Sequence, residues 1–310
     1  MLALFIGAGF SKWAGGLPLG SQLFDFAIEP FGEREARRLE RLMHEKQKWD
    51  DENPVGLAEQ FIAKVLSSGH DRDKKNVCWY IARRLSEPFI WQEWQGGRVR
   101  RHVIMIDENR KWDRQGVHLA AGFIVQCGMR LSGIVTLNYD LIVEYALGSK
   151  GFNYGIRGEI LQGRGPYPVS VWQNSVRLTG PLPFAKLHGS ISWDVSAKYT
   201  DGRRGLGGDA LIVAPTPNKR PPPELRSQWR LSEKILRGAR RILIFGFAFN
   251  DYDQAVLEHL RSAGQHVEEI GIIDLVSRTE DAKELWPTAN VQWFPPPPEG
   301  HTAISAWIGE

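Results

Sequence analysis

The sequence predicts an α/β protein, a doubly wound and mostly parallel Rossmann-like sheet with an inserted helical lobe. Three observations carry this expectation. Short runs rich in Val, Ile, Leu and Phe recur along the chain. They are apolar continuously instead of alternately, which means burial on both faces of each strand. Segments with helical spacing lie between them. At 310 residues and 42% hydrophobic content, the chain is long enough to build such a core without disulfides, since a chain of this size buries about three quarters of its unfolded surface.

The first run, LALFI (2–6), is read as a core strand. It is not read as a secretion signal, because no charged segment precedes it and the apolar stretch stops at Gly7. SQLFDFAIE after it looks helical. Residues 33 to about 130 then break the strand rhythm: EREARRLERLMHEKQKW, PVGLAEQFIAKVLSS, KKNVCWYIARRLSEPFI and DRQGVHLAAGFIVQCGMRL all carry apolar residues at helical spacing. These define a helical insertion over 31–130, within a core made of 1–30 and 131–310. Trp79, Trp91 and Trp94 are read as packing between its helices.

GIVTL (133–137), PFAKL (183–187), LIVA (211–214), RILIFGF (241–247), IGIIDL (270–275) and VQWF (291–294) supply the remaining core strands. The irregular stretch 148–182 is expected to cover the mouth of the site. Pro215, Pro217 and Pro221 to Pro223 form a stiff connector into a helix over 224–238, and Pro295 to Pro298 precede a short terminal helix.

Composition narrows the function. With 39 Lys+Arg against 36 Asp+Glu, the net charge of +3 does not argue for direct nucleic-acid binding. Clusters such as Arg98, Arg100 and Arg101, or Lys219 and Arg220, are read as solvated loops. Cys78 and Cys127 are the only cysteines, too few for a disulfide framework or a four-cysteine zinc site, which makes a reducing cytoplasm the simplest compartment. No apolar run approaches the length of about 18 residues needed to span a membrane. The histidines show no metal-ligand spacing, so no metal site is expected.

Four segments carry possible chemistry. Gly7-Ala8-Gly9-Phe10-Ser11 comes directly after the first strand; it is either a cradle presenting N–H groups to a phosphate or a tight strand-to-helix turn. A third glycine for the dinucleotide fingerprint is absent, Lys12 standing in its place, and the P-loop pattern is absent too. Thr136-Leu137-Asn138-Tyr139-Asp140 places an amide and a carboxylate where a strand gives way to a helix; one of the two is expected to cap that helix. Lys186-Leu187-His188-Gly189-Ser190 puts an imidazole at a strand's carboxyl end, placed either as a base or as a satisfied semi-buried ring. Gly246-Phe247-Ala248-Phe249-Asn250-Asp251 repeats the strand, glycine and polar-cap design, and Asp274 ends the next strand, where acidic residues commonly bind ribose hydroxyls.

Taken in order, GAGFS, TLNYD, KLHGS, APTPNK and GFAFNDYD resemble the bacterial sirtuin-like family, over residues 1–20 and about 131–275. The resemblance implies that NAD is bound as a substrate. Gly7, Ala8 and Gly9 would hold its diphosphate. Ser11, Asn138 and Asp140 would form the pocket for the nicotinamide amide and its ribose, with His188 as general base. Gly246, Phe247 and Asp274 would border the adenosine half.

The departures from the family are equally informative. The zinc ribbon of protein-deacylating sirtuins has no counterpart, the run after the first loop reads Leu17-Pro18-Leu19-Gly20, and Phe247 and Ala248 stand where deacylases carry threonine and serine. In this the chain looks like the sirtuin-like proteins of anti-phage defence that consume NAD. The implied activity is NAD hydrolysis to nicotinamide and ADP-ribose. Its alternatives are a non-catalytic NAD or ADP-ribose sensor or scaffold, and a protein deacylase or ADP-ribosyltransferase. Family habit further implies self-assembly and a partner such as a helicase-type ATPase or an Argonaute-like protein.

Overall fold

The centre of the molecule is strand β1 (Leu2–Ile6), every residue of which is buried. It lies within a seven-stranded sheet of order β11-β10-β9-β1-β4-β6-β5. The structure, a computed structural model, describes residues 1–25, 33–86, 90–95, 98–104, 115–148, 151–155, 180–194, 210–213, 225–250 and 253–309. The strands flanking β1 are β4 (Leu131–Thr136), β6 (Leu182–Lys186) and the short β5 (Phe152–Asn153) on one side, and β9 (Arg241–Phe245), β10 (Glu269–Ile273) and β11 (Asn290–Phe294) on the other. Each neighbouring pair is parallel. The chain leaves β1 toward β4 and later returns to its other side at β9, so β1 and β9 bracket the topological switch point where ligands bind in such sheets.

Helices cover both faces, as uninterrupted strand burial requires. One layer contains α1 (Ala8–Gly15), α5 (Gln115–Cys127) and α6 (Ile142–Leu147), which pack on one another; α10 (His301–Gly309) lies against α5. The other contains α7 (Arg226–Arg237), seated on β4 and β6, with α8 (Gln254–Ala263) beside it and α9 (Thr279–Leu285) next in line. Phe245 meets Phe10 and Phe123 edge to face at 5.2 Å between ring centres, tying α1 and α5 to the end of β9.

Three expectations need correction. LIVA (211–214) is not a strand of the parallel sheet. Its residues 210–212 form β8 (Ala210–Ile212), antiparallel to β7 (Gly189–Asp194) in a separate two-stranded ribbon. Gly189 explains this: with φ at +87° it turns the chain back out of the sheet directly after His188, and a β-carbon there would stand 2.0 Å from the Leu211 carbonyl oxygen. The stretch 31–130 is not wholly a helical insertion. Only α2 (Glu33–Glu52), α3 (Ala58–Ser68) and α4 (Asp71–Ser86) form the extra helices; β2 (Ile90–Gln95) and β3 (Arg98–Ile104) make an antiparallel hairpin, and α5 belongs to the core layer because its apolar face packs on α1 and α6. SQLFDFAIE is not helical where it is described: a single 3-10 turn spans Gly20–Gln22 and Asp25 lies in a bend.

The cover over 156–179, the proline connector 214–224, Lys219, Arg220 and the side chains of Trp91, Trp94 and Arg98 to Arg101 lie outside the described residues. No helix among the described residues is long and apolar enough to cross a membrane.

Candidate active site

Strand register assembles the site. Ile6 pairs with both Thr136 and Phe245, Thr136 pairs with Lys186, and Phe245 pairs with Ile273. The last residues of five parallel strands therefore form one row across the sheet. The residues just past the strand ends must all emerge at the same edge, and among them are Gly7, Asn138, His188, Gly246 and Asp274. All ten residues singled out by the sequence, with Ala8, Gly9, Ser11, Asp140 and Phe247 completing the set, line a single cavity of about 600 Å³. That volume lies within the range of about 300–1,000 Å³ typical of small-molecule sites.

The two glycines of the first turn serve the backbone. The Gly7 amide donates to the Phe245 carbonyl at 2.9 Å and the Gly9 amide to the Gly246 carbonyl at 2.9 Å. A β-carbon on Gly7 would stand 2.3 Å from the Gly246 oxygen, and one on Gly9 would stand 2.6 Å from the Gly246 α-carbon. Gly246 is itself held at φ +67°. The glycines thus let the β1 and β9 turns touch, which aims the positive end of α1 into the cavity beside the exposed Ala8.

Asn138 is fixed from two sides. Its Nδ2 donates to the Gly7 carbonyl at 2.9 Å and to Ser11 Oγ at 2.8 Å, while its backbone amide donates to Thr136 Oγ1 at 3.0 Å. A backbone carbonyl can only accept, so the amide orientation is determined, and its Oδ1 is left as the acceptor for a bound group. Asp140 is the residue that caps. Its Oδ1 accepts from the Ile142 amide at 3.0 Å, so this carboxylate holds the start of α6 while it lines the cavity.

Beneath the turn lies a buried ion pair. Lys186 Nζ is 2.7 Å from Glu144 Oε1, both side chains being 1% exposed, and also donates to the Asp140 carbonyl. Tyr154 OH completes the cluster by donating to Glu144 Oε1 at 2.8 Å. Burial holds the Glu144 carboxyl above its ordinary value, and Lys186 offsets only part of that rise. This network anchors the segment carrying Asn138 to the end of β6, two residues before His188.

His188 is buried, and its Nε2 stands 3.4 Å from Asp253 Oδ1. Asp253 arrives from the loop after β9 and was not singled out from the sequence. Tyr139 stacks obliquely over the imidazole at 6.3 Å and donates its hydroxyl to the Val213 carbonyl at 2.7 Å. Burial first, then the Asp253 carboxylate, holds that phenol well above its ordinary value, so it stays a neutral donor. Phe247 is buried and packs edge to face on Phe5 at 5.2 Å.

Four wall residues from the helical insertion had no sequence signal. Leu57, Glu59, Ile62 and Leu85 of the helical insertion also line the cavity, while Lys12 and Arg278 supply its cations. Glu59 is raised by burial. Among the described residues no group of His, Cys, Asp and Glu is arranged to hold a metal ion.

No family model matches the chain, and no curated protein matches it. Among the solved structures it is similar to are three at 13% identity each, with 99% of this chain covered. They are a Sir2 enzyme studied for mechanism and regulation (89% of that chain, TM-score 0.43), a Sir2 homologue in complex with NAD (88%, 0.46), and a substituted Sir2 homologue in complex with 2'-O-acetyl ADP ribose (90%, 0.45).

Proposed function

We propose that this protein hydrolyses NAD at the bond between nicotinamide and ribose, releasing nicotinamide, ADP-ribose and a proton. The observation that carries this reading is the meeting of Asn138, Ser11 and the His188–Asp253 pair in one cavity at the sheet's switch point, beside the positive end of a helix. That arrangement supplies what the reaction asks of a protein. The leaving group departs as a neutral pyridine, so it needs no acid; the positive charge moves instead to the sugar, whose transition state is that of glycoside hydrolysis.

The helix α1 terminus, Lys12 and Arg278 attract the diphosphate. Asn138 Oδ1 accepts from a ribose hydroxyl or from the attacking water, and the Ser11 hydroxyl, itself held by Asn138, donates to a ligand oxygen. Water adds to the sugar carbon as the C–N bond breaks, and His188 takes the proton released. The Asp253 carboxylate stabilises the imidazolium so formed. Gly246, Phe247 and Asp274 border the adenosine half.

A fluorescent etheno-NAD assay on the purified chain tests the reading. Asn138→Ala and His188→Ala are each expected to abolish product formation while the circular dichroism spectrum still shows a folded chain; full activity in both variants refutes the assignment.

The resemblance to NAD-consuming proteins of anti-phage defence extends this reading to the cell. An NAD hydrolase active at all times would drain its host, so the activity is latent until triggered, in an assembly with other copies of the chain or with a partner such as a helicase-type ATPase or an Argonaute-like protein. Turnover by the isolated monomer at full rate would remove that need.

A further inference from the structure

His188 stands where the chain leaves the parallel sheet. On one side of it the Leu187 amide still bonds across the sheet, to the Thr136 carbonyl at 2.9 Å. On the other, Gly189 already belongs to the antiparallel ribbon of β7 and β8. The His188 backbone itself is tied to that ribbon, its carbonyl accepting from the Val213 amide at 2.9 Å. Where the imidazole lies therefore depends on how the ribbon is set against the end of the sheet.

Tyr139, in the turn after β4, holds both strands of the ribbon. Its carbonyl accepts from the Ile191 amide at 3.0 Å and from Ser190 Oγ at 3.4 Å, both on β7. Its phenol donates to the carbonyl of Val213, the residue directly after β8, at 2.7 Å. Val213 is thus bonded to Tyr139 through its carbonyl and to His188 through its amide. The bonds to the Tyr139 backbone would form with any residue at this position; the phenol bond and the ring contact are particular to tyrosine. The ring lies over His188 at 6.3 Å between centres with a tilt of 32°, within the range at which aromatic rings pack. Asp253 meets the same imidazole at its Nε2 edge. Phenylalanine would fill the same space without the cost of withdrawing a hydroxyl from water. What it could not do is grip Val213.

We propose that Tyr139 is a positioning residue for His188: its phenol fixes the end of β8, and through it the His188 backbone, while its ring sets the tilt of the imidazole. The proposal rests on the reading of His188 as the base, a role in which a misplacement of about 1 Å can cost on the order of a hundredfold in rate.

Two substitutions in the full chain separate the contributions. Tyr139→Phe keeps the ring and removes the grip on Val213; Tyr139→Leu removes both. With etheno-NAD as substrate, kcat is expected to fall about tenfold in the first and about a hundredfold in the second, with KM within about twofold of the parent. Hydrogen exchange over 188–191 and 210–213 should quicken in Tyr139→Phe while the strands of the parallel sheet exchange as before. In the parent chain, a nuclear Overhauser contact between labelled ring protons of Tyr139 and His188 is expected; this readout holds even if a variant fails to fold. An unchanged kcat in folded Tyr139→Phe, whether or not KM moves, overturns this proposal alone, as does the absence of the ring contact. Quickened exchange throughout the sheet overturns it too, since Tyr139 would then support the fold generally. NAD turnover by His188→Ala at the parent's rate overturns the reading of His188 as a base, and the proposal with it.

Discussion

At the scale of single residues, the deciding contact is that between His188 and Asp253. The Asp253 carboxylate stands 3.4 Å from the imidazole, close enough to stabilise the positive charge that the proposed reaction places on that ring. Asp253→Asn is expected to lower kcat on the order of tenfold to a hundredfold with little change in KM, and to shift the pH profile of kcat. Steady-state kinetics from pH 5.5 to 9 check this; a change in KM and melting temperature alone would mark Asp253 as merely structural.

Asn138 illustrates how much one side chain can be constrained. Two bonds from a single amide nitrogen commit it to the first turn, so the oxygen faces its task with no rotamer left to choose. Asp140, two residues on, was legible as polar and near the site, but its role as a cap was decided by which neighbour's backbone amide lay within reach.

Whole elements are held by a few contacts between distant segments. The β1 and β9 turns meet only because Gly9 and Gly246 lack side chains. Gly9→Ala is expected to destabilise the chain by about 1–3 kcal/mol, since the collision is with backbone and cannot relax by a rotamer change. Urea unfolding measures this. Removing one partner of the buried pair under the Asn138 turn, in Lys186→Met, is expected to cost about 3–5 kcal/mol, because Glu144 is then left buried without its counter-ion.

Between α7 and α8, His259 Nε2 lies 3.0 Å from Ser232 Oγ and the ring packs on Trp229 at 5.0 Å. Burial lowers its affinity for a proton below the ordinary value of 6.5. As pH falls through that value the unfolded chain takes up the proton first, so this residue's contribution to stability is complete above about pH 6.5 and is lost on acidification toward the lower folded value. Urea midpoints at pH 7.5 and 5.5 should differ less in His259→Gln than in the parent.

For the molecule as a whole, α5 was the element whose allegiance the sequence misassigned. Its spacing is helical, as read, but spacing does not say which neighbour the apolar face meets. Cys127 at its end is buried, and its thiol is pushed up to about 12, so it should remain a thiol and resist alkylation at pH 8 until the core itself unfolds. Labelling in native buffer at the rate of a free thiol would show that α5 detaches from α1 and α6.

The strand runs were readable because burial on both faces leaves a continuous apolar signature, and the turns because glycine alone tolerates the approaches at Gly9 and Gly189. LIVA misled for a related reason: a buried ribbon strand and a sheet strand share one composition, and only the reversal at Gly189 separates them.

The chain's own order of residues therefore determined the parallel core, the glycine turns and the identity of the groups at the strand ends. Such features depend on local burial pattern and local backbone conformation. Tertiary structure alone decided that Asp253 faces His188, that Asp140 caps α6, and that Leu57, Glu59, Ile62 and Leu85 line the cavity. These are meetings across long stretches of chain, set by strand register and by how irregular segments pack, and neither leaves a periodic trace in the sequence.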